Sequence, residues 1–344
     1  MRRLLKLSAI LLLVCVVGIL ITINTGSSLP EDTDAIIEQV LQNELPEFFS
    51  GEAGYANSNG IKIWYEIQRP KTNTKGTIVL LMGAAGTATF WPDYVVQPLV
   101  EKGYQVIRFD YRGTGMSDWI EDWSEQTAYS IHDMTKDIIA ILDQQNINQA
   151  HIVGMSMGGA IAREFAIEYP KRTASLSMMV STGVFHHAKT TAVNSLPGLD
   201  MLRLLLRHGI WSNERDQAKF ILGVMHIMNA DSPESINNKL IIQQALYELR
   251  KRRGFHAAAL RQHFYAIKQH EELNPTPKPF AQAVLYVVGE KDPIISLALV
   301  KQQLKHELQS KLVVLPDVAH IIPESRVNEV IQALDGHMQA VSHF

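Results

Sequence analysis

Three residue types set far apart in the chain have the chemistry to attack an acyl carbon together: a serine, an acid and a histidine. Ser156 lies in Gly154-Met155-Ser156-Met157-Gly158, with Gly159 next. The spacing is G-x-S-x-G. Chance supplies that pattern in about one chain of this length in ten, so its context decides its weight. It follows a short apolar stretch, His151-Ile152-Val153, and opens a segment with helical spacing. That is the setting of a nucleophile elbow, a sharp strand-to-helix turn with one hydroxyl at its crest. Such a turn crowds its own backbone, which is why glycines at 154, 158 and 159 suit it. The helix after it offers free N–H groups and a positive dipole end to a developing oxyanion.

A serine hydroxyl is a weak nucleophile without a base, and the base needs an acid to orient it. Around an elbow serine these follow in the order acid, then histidine. Gly289-Glu290-Lys291-Asp292-Pro293 places carboxylates just past an apolar run. Asp292 is the preferred acid, because a carboxylate before proline in a turn points out of the sheet edge. Glu290, nearer the strand end, is the competitor. The chain has 13 histidines, but only His306, His320, His337 and His343 follow Asp292. His306 falls in a charged helical stretch, and His337 and His343 in the terminal helix or tail. His320 comes after an apolar run at 312–315 and the short turn Pro316-Asp317-Val318-Ala319. It is therefore expected at the same sheet edge as Ser156. A second backbone N–H for the oxyanion is expected from the loop after an early strand. Met82-Gly83-Ala84-Ala85-Gly86 supplies it, and Ala84 and Met157 are the assigned donors.

These residues need strands to carry them. Continuous apolar runs at 77–82, 104–109, 150–153, 176–180, 283–288 and 312–315 read as buried strands. A half-exposed strand at 61–67 precedes them. Helical spacing falls between them, at 91–102, 130–145, 157–169 and from about 326. Alternating strands and helices predict an α/β fold, a mostly parallel sheet with helices on both faces. The alternation stops after Phe185. Residues 185–278 show helical patterns without a clear strand and end in the stiff Asn274-Pro275-Thr276-Pro277-Lys278-Pro279. They are expected to form a helical cap over a core of residues 61–184 and 279–344. Residues 29–60 read as an N-terminal extension, with a short amphipathic helix over 34–45.

At the front, Arg2, Arg3 and Lys6 precede an almost wholly apolar run over 7–23. As a helix it would span roughly 26 Å, close to the hydrocarbon thickness of a bilayer. Residues 1–28 are expected to be an uncleaved signal anchor, with the catalytic domain outside the cytoplasm. A cleaved signal peptide leaving a secreted or periplasmic protein is the alternative. The formal net charge of −3 gives no footprint for nucleic acid. One cysteine, Cys15, cannot form an internal disulfide. No H-E-x-x-H or clustered cysteines call for a metal, and the adjacent His186-His187 reads as solvated surface.

With these parts assembled, the chain resembles the α/β-hydrolase superfamily from about Ile61 to the C-terminus. Asp110-Tyr111-Arg112-Gly113-Thr114-Gly115-Met116-Ser117 is similar to the family's D-x-R-G-x-G-x-S loop. The Gly289 to Pro293 turn resembles its G-x-x-D-P. The insertion falls after the sixth core strand, where the family carries its cap. One departure stands out: many members have histidine before the oxyanion glycine, as a loop support, and here that residue is Met82. Met-Gly-x-x-Gly with Trp91-Pro92 downstream resembles a subgroup of small-ester hydrolases. The resemblance implies ester hydrolysis by a Ser156-His320-Asp292 triad without a cofactor. Serine at the elbow argues against dehalogenase and epoxide-hydrolase chemistry, which uses aspartate there. Acyl transfer, perhydrolysis, C–C bond hydrolysis and lipase action use the same parts, and a ligand-binding protein on this scaffold is a further class. The cap, with Met225 and Met228 as candidates, is expected to line an acyl pocket and to add little to the chemical step. Leu202-Arg203-Leu204-Leu205-Leu206-Arg207 is read as a basic amphipathic helix packed on the core, and a place on a membrane surface is the alternative.

Overall fold

Residues 77–81 are apolar without alternation because both faces of their strand are covered. Ile78 and Leu80 enter one core cluster and Val79 and Leu81 the other, one on each side of the sheet. A computed structural model of the chain describes residues 29–184, 198–210, 213–229, 232–274, 280–305, 307 and 309–341. Among these, eight strands form one sheet: β1 (Glu52–Ser58), β2 (Ile61–Gln68), β3 (Gly76–Leu81), β4 (Tyr104–Phe109), β5 (Ala150–Met155), β6 (Thr173–Met179), β7 (Val284–Gly289) and β8 (Ser310–Leu315). Their order is β1-β2-β4-β3-β5-β6-β7-β8. The first two pairings, β1 with β2 and β2 with β4, are antiparallel, and the rest are parallel.

Helices cover both faces, as parallel pairing requires. After α1 (Thr33–Leu41), the core helices are α2 (Asp93–Glu101), α3 (Ile131–Gln144) and α4 (Met157–Glu168). On one side of the sheet, α3 and α4 bury Ile131, Ile138, Ile141, Ile161 and Phe165. On the other, α2 contributes Val95, Val96 and Leu99. Ser130 and Asp133 form a capping box at the start of α3, with each side chain bonded to the other residue's backbone N–H.

After β6 the chain leaves the sheet. The described cap contains α5 (Gly198–Leu204), running on into a π turn over Leu205–Gly209, then α6 (Glu214–Met228), α7 (Asn238–Lys251) and α8 (Ala259–Leu273). The chain returns through β7, α9 (Leu297–Leu304), β8 and α10 (Val327–Val341). Within α5 and the turn, Leu204 is buried against Gly223, whereas Leu202 and Leu205 are exposed. The run at 202–207 is therefore only partly packed.

The extension expected at 29–60 is not separate from the rest. The sheet begins inside it, at Glu52, and β1 pairs with β2 along its whole length. Helix α1 packs on the cap: Ile37 and Val40 join Ala218, Leu222, Ile241, Ile242, Ala245 and Leu246 in one cluster. Asp34 meets Lys219 at 2.6 Å, and Glu38 pairs with Arg215. A half-polar strand with glycine and asparagine carries a weak strand signal, and pairing supplied what propensity did not. The N-terminal 1–28, His186-His187, His306, His343 and the connector at 275–279 lie outside the described residues.

Candidate active site

The elbow is built by crowding. Ser156 has φ 54° and ψ −120°, a left-handed backbone at a residue with a side chain, which costs about 1–3 kcal/mol unless its surroundings enforce it. They do enforce it. A Cβ at Gly154 would stand 2.2 Å from the Gly158 carbonyl oxygen, and one at Gly158 would stand 2.5 Å from that of Leu81. Both obstacles are backbone and cannot swing away, so strand β5, helix α4 and strand β3 close on one another only through these glycines. The Ser156 N–H donates to the Met179 carbonyl at 2.9 Å, tying the crest to β6.

All three sequence-predicted side chains meet there. His320 Nε2 lies 3.1 Å from Ser156 Oγ, and His320 Nδ1 lies 2.8 Å from Asp292 Oδ2. The serine closes β5, the acid follows β7 and the histidine follows β8, so three parallel strands deliver them to one sheet edge. Asp292 Oδ1 accepts from the Ile294 and Ile295 N–H groups, each at 2.8 Å. Those two amides fix the carboxylate and leave its other oxygen for the imidazole. Glu290 is exposed and donates nothing to this chain of contacts; its side chain leaves the sheet edge for solvent. His337, also weighed in the sequence, is buried elsewhere, bonded to the Leu176 carbonyl at 2.9 Å.

The loop after β3 lies against the serine, with the Gly83 Cβ position 3.5 Å from Ser156 Cβ. The backbone N–H groups of Ala84 and Met157 have no acceptor among the described residues. Unpaired amides on the loop that touches the elbow and at the helix start are what an oxyanion hole requires. The loop is held at its ends. Tyr111 Oη donates to the Met82 carbonyl at 2.8 Å, and Asp110 Oδ1 accepts from the Ala88 N–H at 2.8 Å. Asp110 also accepts from the Met116 N–H at 2.8 Å and pairs with Arg252 of the cap. Arg252 packs against an edge-to-face aromatic pair, its guanidinium 4.4 Å from the Trp64 ring centre and 4.7 Å from that of Phe49. The D-x-R-G-x-G-x-S stretch thus serves as scaffolding. Its Arg112 forks onto Asp137 at 2.8 and 2.6 Å.

The cap reaches the site in two ways that its sequence did not reveal. Met228 is not among the residues lining the cleft beside the site; its carbonyl accepts the His320 backbone N–H at 3.2 Å. Helix α6 ends there, and a last-turn carbonyl is free to bond outside its helix. His263, on α8, accepts the Ala85 N–H at Nδ1, 3.0 Å away. Its position in the sequence, a polar residue between Gln262 and Phe264, carries no sign of that contact.

Beside the site is a cleft with about 850 Å³ of empty space, part of it open to solvent. Met82, Met155 and Ile321 line it, each adjacent in sequence to Gly83, Ser156 or His320, none of which lines it. Met179, Met225 and Leu240 also line it, so the lining is largely apolar. Methionine conforms to irregular shapes better than branched residues do.

Comparison with known proteins follows the same lines. A family model described as the alpha/beta hydrolase fold matches residues 76–207. The chain is 35% identical over 103 residues to a rhodomycin D methylesterase of Streptomyces peucetius, across 30% of this chain and 34% of that one. It is 28% identical over 181 residues to a 2-hydroxy-6-oxononadienedioate/2-hydroxy-6-oxononatrienedioate hydrolase of Comamonas testosteroni, across 49% of this chain and 62% of that one. Each match spans less than two-thirds of the relative's length. A solved membrane phospholipase A, described as a bacterial virulence factor, superposes with a TM-score of 0.61 over 100% of both chains at 18% identity, a likeness of fold. The eight-stranded sheet, the cap after its sixth strand and the family model matched over residues 76–207 agree: this chain has the α/β-hydrolase fold.

Proposed function

We propose that this protein is a serine hydrolase that cleaves carboxylic esters through an acyl-enzyme. The observation that carries the proposal is the unbroken chain from Ser156 Oγ through His320 to Asp292, with links of 3.1 and 2.8 Å. Ser156 Oγ attacks the ester carbonyl carbon while its proton passes to His320 Nε2. The carbonyl oxygen takes the negative charge and accepts from the Ala84 and Met157 N–H groups. Collapse of this intermediate breaks the bond to the alkoxy oxygen, which leaves as an alcohol with the proton from His320. Water then attacks the acyl-serine and gives its proton to His320, which passes it to Ser156 Oγ as the acid leaves. Asp292 holds the imidazole in the tautomer that accepts from serine and stabilises the imidazolium. The relatives' printed activities, a methylesterase and a hydrolase, support the reading. Turnover of acetyl and butyryl p-nitrophenyl esters by the full-length protein, and its labelling at Ser156 by a fluorophosphonate, test it. A binding protein on the same scaffold would do neither.

The apolar cleft is the proposed acyl site. Apolar pockets separate substrates by only about 1–3 kcal/mol per methylene. Replacing Met225 with tryptophan or alanine is therefore expected to shift preference between acetyl and octanoyl esters by tens of fold at most. Fluorophosphonate labelling of Ser156 should continue at nearly the wild-type rate. Lost labelling in a folded Met225 variant would mean that the side chain belongs to the chemistry and not to selection.

The N-terminal segment is proposed to anchor the protein in a membrane, with the catalytic domain outside the cytoplasm. Support comes from the basic head and the apolar run over 7–23. With that anchor, α1 docked on the cap would keep the cleft close to the lipid, which favours lipid esters as one substrate group. The neighbour described as a membrane phospholipase A is consistent with this reading. Full-length protein is expected to sediment with membranes and to be freed by deletion of residues 1–28. Recovery of a soluble form whose first residue lies near Ser28 would replace the anchor with a cleaved signal peptide.

A further inference from the structure

In this superfamily resemblance the residue before the oxyanion glycine is a loop support, and here it is Met82, which has no strong donor or acceptor. Its side chain lies under the loop: a Cβ at Gly86 would stand 2.5 Å from Met82 Cγ. Met82 fills space there and cannot orient a peptide group. The ends of the loop are held by Tyr111 and Asp110, and a turn closes between the Gly86 N–H and the Gly83 carbonyl at 3.1 Å. None of these bonds reaches the peptide between Ala84 and Ala85. That peptide leads into a costly backbone conformation, since Ala85 has φ 57°, a left-handed conformation for a residue with a Cβ.

We propose that His263, carried in from the cap on α8, is the positioning residue of the oxyanion loop. Its Nδ1 accepts the Ala85 N–H at 3.0 Å, and its Nε2 faces the Arg112 carbonyl at 3.4 Å. The two contacts require one tautomer, with the proton on Nε2 and the lone pair on Nδ1. The ring is fully buried, edge-on to Tyr111 with centres 5.6 Å apart and to Tyr129 at 6.1 Å. Burial lowers its pKa to about 4, so at neutral pH the ring is uncharged and Nδ1 stays an acceptor. With the Ala85 N–H turned toward the cap and held, the preceding N–H, that of Ala84, is left free on the serine side. The peptides carrying the two N–H groups share the Ala84 Cα, so releasing the Ala85 N–H frees the torsions at Ala84 that aim its own N–H. His263 touches no reacting atom; it acts through the loop.

This inference rests on the ester-hydrolase reading, in which Ala84 is an oxyanion donor. The test compares His263→Asn with His263→Gln in the full-length protein, using acetyl p-nitrophenyl ester kinetics and fluorophosphonate labelling. Asparagine places an acceptor where Nδ1 is and gives up the reach to Arg112. Glutamine keeps the reach to Arg112 and leaves the Ala85 N–H unpaired. Both are polar, so each should cost similar stability, and melting temperatures check that they do. Removing an oxyanion donor outright lowers kcat by about 10²–10³, and loosening one should cost less. The glutamine variant is expected to lose roughly 10- to 100-fold in kcat, with KM within about threefold of wild type. The asparagine variant should keep kcat within about fivefold. Equal kcat losses in the two variants, or a glutamine variant as active as wild type, would overturn the role of His263. Wild-type protein that neither turns over the ester nor takes the label would instead remove the hydrolase reading itself.

Discussion

Ser156→Ala is expected to lower kcat for a short-chain ester by roughly 10³- to 10⁶-fold with the melting temperature little changed. The hydroxyl contributes one contact, to His320 Nε2 at 3.1 Å, and the fold does not depend on it. The elbow is held instead by the Ser156 N–H bond to Met179 and by the glycines around it, which alanine at 156 leaves untouched. His320→Ala should cost a similar factor, because the proton from Ser156 then has no acceptor in reach. The double variant should lose little more than either single one, since the groups act as a unit. What remains would come from the Ala84 and Met157 N–H groups and from substrate binding. Near-wild-type hydrolysis by purified Ser156→Ala, with contaminating esterases excluded by the absence of label, would end the assignment.

Asp292→Asn should be the next most damaging change, at roughly 10²- to 10⁴-fold in kcat. Both oxygens of Asp292 are engaged: Oδ1 takes the Ile294 and Ile295 N–H groups, and Oδ2 faces His320 Nδ1. The amide of asparagine must keep its oxygen on the two backbone donors. Its NH₂ is then turned toward His320, which can meet it only with an unprotonated Nδ1. The proton moves to Nε2, the nitrogen that must accept from serine. The imidazole is left in the wrong tautomer with its geometry intact, so KM should move far less than kcat. Glu290→Gln is the matched control and should stay within about twofold of wild type, since Glu290 faces solvent. A larger loss at Glu290 than at Asp292 would exchange their roles. The choice between the two carboxylates was open in the sequence, where both follow the same apolar run. The tertiary structure decides it by turning one inward, through the amides of 294 and 295, and the other outward.

The sequence by itself determined the sheet and the three side chains at its edge. Apolar runs buried on both faces cannot be loops, and helical spacing between them leaves only parallel pairing, which carries every strand end to one side. Ser156, Asp292 and His320 each follow such a run, so their meeting was legible from strand ends and chain order alone. The loop Gly83 to Gly86 was legible for the same reason.

Contacts made across the fold by ordinary residues were not legible. Strand β1 has half-polar sequence and exists through its pairing with β2. Helix α1 reads as a free amphipathic segment, yet it is docked on the cap through Ile37 and Val40. Met228 reads as a pocket residue, but what it brings to the site is a backbone carbonyl, which every residue type carries equally. His263 is one histidine among 13, distinguished only by facing an amide 178 positions earlier in the chain. Local periodicity reports which face of an element is buried, and it says nothing of which distant backbone group that face will meet. That pairing is set by the packing of the cap on the sheet, so the three side chains proposed for catalysis were readable from the sequence and their supports only from the assembled fold.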